Sequence, residues 1–174
     1  MSSLEFPLYP CVAPAKILAA ARKDSLRIRV ESSASVLHWI ETSRQIFDAA
    51  DTVTATFVID AEGWMWLADR RSEHAACARG RPVRSAGEAS FGVSPKAVEV
   101  ISITNQSTGY CPQPESWPAV AEALDRAAID HPGEFTSAFL FRRCACGQIN
   151  IIKDGVYECG VCGGELSIHS FLPL

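Results

Sequence analysis

Apolar residues recur with helical spacing in three segments of the chain. An alanine-rich stretch predicts a short helix from Pro14 to Lys23. The last of the three segments predicts a helix over residues 117–128, with Ser116 as its N-cap and Pro118 in its first turn. The second segment has the strongest amphipathic pattern and predicts a helix over residues 35–50, with an apolar face formed by Val36, Trp39, Ile40, Ser43, Ile46, Phe47 and Ala50.

Outside the helices, the pattern changes to the alternation and apolar runs that are typical of β-strands. A turn at residues 60–63 predicts a hairpin, whereas residues 70–81 and 105–114 are predicted to be loops. Because neighbouring strands joined by short turns pair antiparallel, we expect an α+β protein with a mostly antiparallel sheet and flanking helices. The strands are expected at residues 26–30, 52–59, 64–68, 82–91, 97–104 and 135–141.

Two closely spaced cysteine pairs near the C-terminus carry the clearest chemical signal. A glycine follows each pair, and residues 148–158 between the pairs predict a strand, a turn at Asp154-Gly155 and a second strand. Two tight turns that each offer two thiolates are typical of a zinc ribbon with one tetrahedral Zn²⁺. The expected zinc ligands are Cys144, Cys146, Cys159 and Cys162.

The first pair has only one residue between its cysteines, whereas the second has the usual two. This difference leaves two alternatives open, a site that borrows His169 and a pair of disulfides. Four thiolates leave no position for water, so we expect a structural rather than a catalytic zinc. The predicted organisation is an α+β body over residues 1–141 that contains a ligand pocket, followed by a zinc ribbon over residues 142–174.

Composition narrows the classes of partner and the compartment. The 174 residues are 48% apolar and carry a net charge of −4, which gives no electrostatic case for nucleic acid. No run approaches the roughly 18 apolar residues of a membrane span. The N-terminus lacks a basic segment, and Lys16 interrupts its apolar stretch, so we expect no signal peptide and a cytoplasmic location.

An arginine-rich loop predicts an anion-binding site on this acidic protein. Five arginines fall within residues 70–84, and Arg71, Arg81 and Arg84 are the expected ligand-binding residues. His74 and Glu88 lie in and just after this stretch and could act as base and acid, or orient a sugar hydroxyl. The alternative is a solvated loop whose arginines serve solubility.

A second polar loop follows the strand predicted at residues 97–104. Asn105, Ser107 and Tyr110 offer hydrogen-bonding groups there, and Gly109 allows close approach of the backbone. Turn chemistry alone is the alternative explanation for the asparagine, serine and glycine.

Short motifs over about residues 53–141 resemble a domain shared by bacterial polymorphic toxins and effectors and by plant IQ-motif calmodulin-binding proteins. The chain departs from the family where Glu73-His74-Ala75 replaces His-Ser-Ser and where Thr108-Gly109 replaces Gly-His before Tyr110. The motifs are Phe57–Asp60, Ser72–His74, Gly80–Val83, Ala86–Glu88 and Ile103–Tyr110.

The toxin setting of the resembling domains implies an enzyme that acts on a nucleotide-like or ADP-ribose-containing ligand, such as an ADP-ribosyl-type transferase or hydrolase. In that hypothesis the arginines bind phosphate, Asn105 and Ser107 hold a ribose, and His74, Glu88 and Tyr110 are catalytic. The alternative is a non-catalytic adaptor module that binds a partner protein and is stabilised by its zinc ribbon. Nucleic-acid binding through the ribbon is a third and least favoured hypothesis.

Overall fold

The structure is a computed structural model that describes residues 6–21, 26–95 and 97–172. The chain separates into two compact units, Met1–Ala138 and Phe139–Leu174, which we call the body and the C-terminal unit. The sequence had placed this boundary after residue 141. In the described ranges, no helix is long and apolar enough to cross a membrane.

The body is an α+β structure built on one antiparallel sheet, as predicted. Each of the four strand pairings is antiparallel, and the strand order is β1-β3-β2-β4-β5. The strands are β1 (Arg27–Arg29), β2 (Thr52–Ile59), β3 (Met65–Asp69), β4 (Ser85–Val93) and β5 (Val98–Ile103), and the helices are α1 (Ala15–Ala21), α2 (Ser33–Thr42), α3 (His74–Cys77) and α4 (Trp117–Arg126), with a 3₁₀ turn at Pro114–Ser116. The end of the helix expected at Lys23 lies outside the described residues.

Side chains alternate between the two faces of the sheet along each strand, and an apolar cluster covers each face. On one face, Phe57 and its neighbours pack with residues of α2 and α4 in the larger apolar cluster. On the other face, Val58 and Ala86 pack with Cys77 of α3 and with Tyr110 in a smaller cluster. The central strand β2 is therefore buried on both sides, and the smaller cluster lies beside the predicted polar site.

The helix predicted over residues 35–50 is wrong in its second half. It ends at Thr42, and Ile46 and Phe47 are 80% and 43% exposed. The Asp48 carboxylate accepts hydrogen bonds from the backbone N–H of Ala50 and Thr52, at 2.8 and 3.0 Å. The backbone has already left the helix at Arg44, whose φ is +51°, and the Gln45 N–H donates to the Ile40 carbonyl at 3.1 Å, so the apolar spacing beyond Thr42 is not realised as a helix.

Three further predictions are corrected. The loop expected at residues 70–81 contains the short helix α3. The strand expected at residues 135–141 is reduced to one bridge from Ser137 to Thr104, before a strand that begins only at Phe141. Ser116 makes no N-cap bond with its side chain, because its buried hydroxyl is 2.9 Å from that of Ser85.

The C-terminal unit contains a two-stranded antiparallel sheet of β6 (Phe141–Arg143) and β7 (Ile149–Ile151). The turn at Asp154-Gly155 is present, but it closes a single bridge between Lys153 and Val156. The expected hairpin is thus shorter than predicted, because β7 pairs with the strand before it. A small apolar cluster completes the unit, formed by Cys144, Cys159 and Leu166 with Ile152 and Tyr157 packed against it.

Candidate functional site

Two tight turns in the C-terminal unit bring the four predicted cysteine ligands together. In the first, Gly147 N–H donates to the Cys144 carbonyl at 2.9 Å, and in the second, Gly163 N–H donates to the Cys159 carbonyl at 2.9 Å. Both glycines have positive φ, +92° and +69°. Glycine adopts this conformation at no steric cost, which explains why one follows each cysteine pair.

The sulfur positions fit a tetrahedral metal ion. All four sulfurs lie within 4.8 Å of one another, with Cys144 and Cys162 3.5 Å apart and Cys146 and Cys159 3.8 Å apart. A Zn–S bond of about 2.3 Å in a tetrahedron places neighbouring sulfurs roughly 3.8 Å apart. The cluster could therefore hold a metal ion, and in the described part of the unit His169 does not belong to it.

Hydrogen-bond donors surround these sulfurs. Asn150 Nδ2 lies 3.6 Å from the Cys159 sulfur, and Gly164 N–H lies 3.4 Å from the Cys162 sulfur. Asn150 is itself held by Gly160 N–H, which donates to its side-chain oxygen at 3.1 Å. Donors of this kind stabilise negatively charged thiolates and orient them toward a metal.

The thiols differ in how readily they ionise. Backbone N–H groups, first that of Cys162 and then that of Val161, lower the pKa of Cys159 to about 6. For Cys144, the N–H of Cys146 lowers the pKa, but desolvation and the other three sulfurs outweigh it and raise the pKa to about 12. The Cys159 thiol therefore ionises more readily than the Cys144 thiol.

In the body, the structure brings His74 and Glu88 together. His74 begins α3, and its Nε2 donates to the Gly87 carbonyl at 2.9 Å, which fixes the proton on that nitrogen. Burial lowers the pKa of His74, although the nearby Glu88 carboxylate raises it in part. The imidazole is therefore neutral at pH 7, next to a half-buried carboxylate that stands opposite Thr56 across the sheet.

The predicted site residues of the second polar loop, Asn105, Ser107 and Tyr110, are buried. The Tyr110 hydroxyl donates to the Arg81 carbonyl at 2.8 Å, and burial raises the pKa of Tyr110. Asn105 Nδ2 donates to the Pro112 carbonyl at 2.7 Å. The Ser107 hydroxyl is buried and has no hydrogen-bond partner in the part of the chain that the structure describes. Tyr110 and Asn105 thus fix the path of the loop.

The three predicted ligand-binding arginines lie in different surroundings. Arg71 lines a shallow pocket with Asp48 and Asp69, whereas Arg81 lines a separate pocket near the turn between β2 and β3. Arg84 lies over the Phe6 ring, 5.3 Å from its centre. Arg71 and Arg81 therefore do not meet around one ligand.

Sequence reasoning missed Arg27, which shares a pocket of about 190 Å³ with Arg81. The Arg27 guanidinium stacks on Trp66 at 3.8 Å and donates to the Cys77 carbonyl at 2.6 Å. Trp66 in turn donates from its indole nitrogen to Asp60 at 2.7 Å. The pairing of β1 with β3 places Arg27 and Arg29 against Trp66 and Trp64, and no pattern along the chain indicates that pairing.

Among known proteins, no protein-family model, no curated protein and no solved structure matches the chain.

Proposed function

We propose that the protein is a non-catalytic binding module whose C-terminal unit is a zinc ribbon held by one structural Zn²⁺. The convergence of Cys144, Cys146, Cys159 and Cys162 within 4.8 Å carries this proposal. Thiolate ligands in a tetrahedral arrangement favour zinc over the hard cations that prefer oxygen. Because four cysteines complete the tetrahedron, no position remains for a reacting water, and the metal serves to hold the fold.

The small size of the apolar cluster supports a structural role for zinc. Cys144, Cys159 and Leu166 form its buried centre, two of these are proposed ligands, and Phe141 is a further fully buried apolar side chain in the described part of the unit. A unit of this size rarely buries enough apolar surface to offset the loss of chain entropy. Metal binding to such a unit supplies folding free energy directly.

Metal analysis of the purified protein tests this proposal. We expect one zinc per chain, and a cobalt-substituted protein should show the visible absorption of a tetrahedral tetrathiolate site. Cys146→Ser should abolish stoichiometric loading, whereas Cys11→Ser, which alters a thiol of the body, should leave it unchanged. A Cys146→Ser protein that retains full zinc, or a metal-free protein with a folded C-terminal unit, would contradict the proposal.

For the body, we propose non-covalent binding of a small anionic ligand. The arginines between residues 70 and 84 make no ion pair with an acid in the described ranges, although the protein is acidic overall. Arg27 likewise lacks an acidic partner, and its Nε is buried without a hydrogen bond. Cations that are left unpaired near a pocket favour an anion from solution.

A second candidate function is acid–base catalysis on a phosphate- or ribose-containing ligand, as in an ADP-ribosyl-type transferase or hydrolase. The contact of neutral His74 with Gly87, beside Glu88, is the observation that favours it. A neutral imidazole next to a carboxylate can accept a proton from a hydroxyl or water.

Incubation with NAD or ADP-ribose, followed by chromatography of the products, tests this second candidate. Turnover should be lost in Glu88→Gln and retained in Glu99→Gln, a matched change at an exposed position of β5. An unmodified ligand after incubation with the wild-type protein would leave the non-catalytic proposal standing alone.

A further inference from the structure

We propose that the pocket lined by Arg27, Trp66 and Arg81 binds a small organic carboxylate whose apolar part is about the size of a six-membered ring. The pocket lies beside the turn between β2 and β3 and includes the segment that precedes β4. This inference refines the proposed binding function of the body and does not depend on the zinc.

Arg27 supplies the main anchor for the carboxylate. Its guanidinium has five N–H donors, and among the described residues its one hydrogen bond is the contact from Nη1 to the Cys77 carbonyl. Its Nε is buried and has no hydrogen-bond partner in that part of the chain, which is rare because an unmet buried donor costs free energy. Stacking on Trp66 holds the guanidinium plane in place, so its donors are fixed before a ligand arrives.

The charges around the pocket favour an anion with a single charge. Burial, and then the charges of Arg79 and Arg81, lower the pKa of Arg27. Asp60 carries a single negative charge and so cannot balance three arginines, and its two oxygens already accept hydrogen bonds from Trp66 and from the backbone of Glu62 and Trp64. The Glu62 carboxylate lies at the exposed rim and disfavours a ligand with two negative charges.

The remaining walls suit an apolar group. The pocket has a volume of about 190 Å³, which exceeds the roughly 150 Å³ of an engineered apolar cavity known to hold benzene. A ring attached to a carboxylate therefore fits the space as well as the charge. The apolar lining is contributed by Leu8, Val58, Ala78, Pro82 and Val83.

Titration of the zinc-bound, isotope-labelled protein with benzoate tests the inference by NMR. The indole N–H signal of Trp66, which faces Asp60, should shift with saturation. Acetate lacks the ring and tests whether the ring is needed. Benzyl alcohol lacks the charge and tests whether the charge is needed, and phenyl phosphate tests the preference for a single charge. Each of the three should bind more weakly than benzoate.

Arg81→Gln changes an exposed side chain and should weaken benzoate binding about tenfold, because one charge-assisted hydrogen bond is lost. Arg27→Lys keeps the charge but loses the fork-shaped donors and should weaken binding at least as much. Arg143→Gln makes the same change in net charge at a residue that does not line the pocket, so its effect should stay within about twofold.

Absence of a benzoate shift, equal binding of benzyl alcohol, or equal weakening by Arg81→Gln and Arg143→Gln would overturn the inference. Acetate or phenyl phosphate binding as tightly as benzoate would overturn the assigned ligand class. Metal content measured on the same samples keeps this test separate from the proposed zinc ribbon. A small anion that shifts signals elsewhere in the body would support the general binding function while removing this pocket from it.

Discussion

The body and the C-terminal unit of this chain differ in how much apolar surface their described residues bury. The body packs apolar side chains on both faces of its sheet, and β2 is almost entirely buried. The C-terminal unit has three buried residues in its apolar cluster, and Val156 and Val161 are 58% and 71% exposed. We infer that apolar burial stabilises the first unit and a metal ion the second, so the two should respond to different perturbations.

Zinc removal should have the largest effect of all and should act on one unit. With a strong chelator present, the C-terminal unit should lose its structure, because the thiolates then lack the cation that holds them together. All four tryptophans, Trp39, Trp64, Trp66 and Trp117, lie in the body. Tryptophan fluorescence during thermal unfolding therefore reports the body alone and should change little, while limited proteolysis should cut within residues 139–172.

Simultaneous loss of the tryptophan signal and of protease resistance on chelation would contradict this separation. It would mean that the body, too, depends on the metal. Restoring zinc should recover the resistant fragment, which distinguishes specific metal loss from irreversible damage by the chelator.

A core truncation in β2 is the opposite perturbation. Phe57 is fully buried, and Phe57→Ala should lower the free energy of unfolding of the body by about 3–5 kcal/mol through lost burial and a residual cavity. Denaturant titration monitored by tryptophan fluorescence measures this change, and the zinc content should stay at one per chain. Ile101→Ala truncates a side chain that is 48% exposed and should cost no more than about 0.5 kcal/mol.

The sequence predicted the sheet better than the helices for a physical reason. Strands β2 and β3 follow directly from their apolar runs and the turn at residues 60–63, which is a local signal. The helix over residues 35–50 failed because Ile46 and Phe47 continue a helical spacing after the backbone has left the helix at Arg44. Helix α3, with four residues, is too short to show a period at all.

The same distinction between local and distant signals separates the candidate sites. The cysteine cluster was predictable because its two turns are local and the glycines mark them. Arg27 was missed because its contact with Trp66 requires β1 to pair with β3, past the intervening helix α2 and strand β2. Spacing along the chain does not encode that neighbour relation. Arg71 and Arg81 were predicted to bind one ligand because they are close in sequence. The structure places them in different pockets, so closeness in sequence misled the prediction.

A glycine beside the cysteines should test the metal centre without touching its ligands. A Cβ added at Gly164 would lie 3.2 Å from the Cys162 sulfur and 3.6 Å from that of Cys144. Gly164→Ala should therefore displace a sulfur slightly and lower zinc affinity about tenfold. Gly160→Ala is the matched control, because its Cβ would meet only the Asn150 oxygen at 3.9 Å. A competition assay with a chromophoric chelator compares the two, and equal affinities would exclude a close-packed cluster.

The smallest expected effect is a pH dependence confined to the body. Burial lowers the pKa of His74 in the folded protein below its usual value near 6.5, so the unfolded chain binds a proton more readily. The contribution of His74 to the free energy of unfolding is fully present above about pH 6.5. It declines as the pH falls from there through the lower pKa of the folded state. His74→Gln can still donate to the Gly87 carbonyl but cannot titrate, so its unfolding free energy should depend less on pH in this window.

Denaturant titrations by tryptophan fluorescence between about pH 8 and about pH 5 measure this slope in the body alone. His38→Gln makes the same substitution at an exposed position of α2 and controls for the replacement itself. Equal slopes for His74→Gln and the wild-type protein would show that His74 has the same pKa in the folded and the unfolded body. That result would also remove the basis for a neutral His74 beside Glu88, and with it the observation that favours acid–base chemistry there.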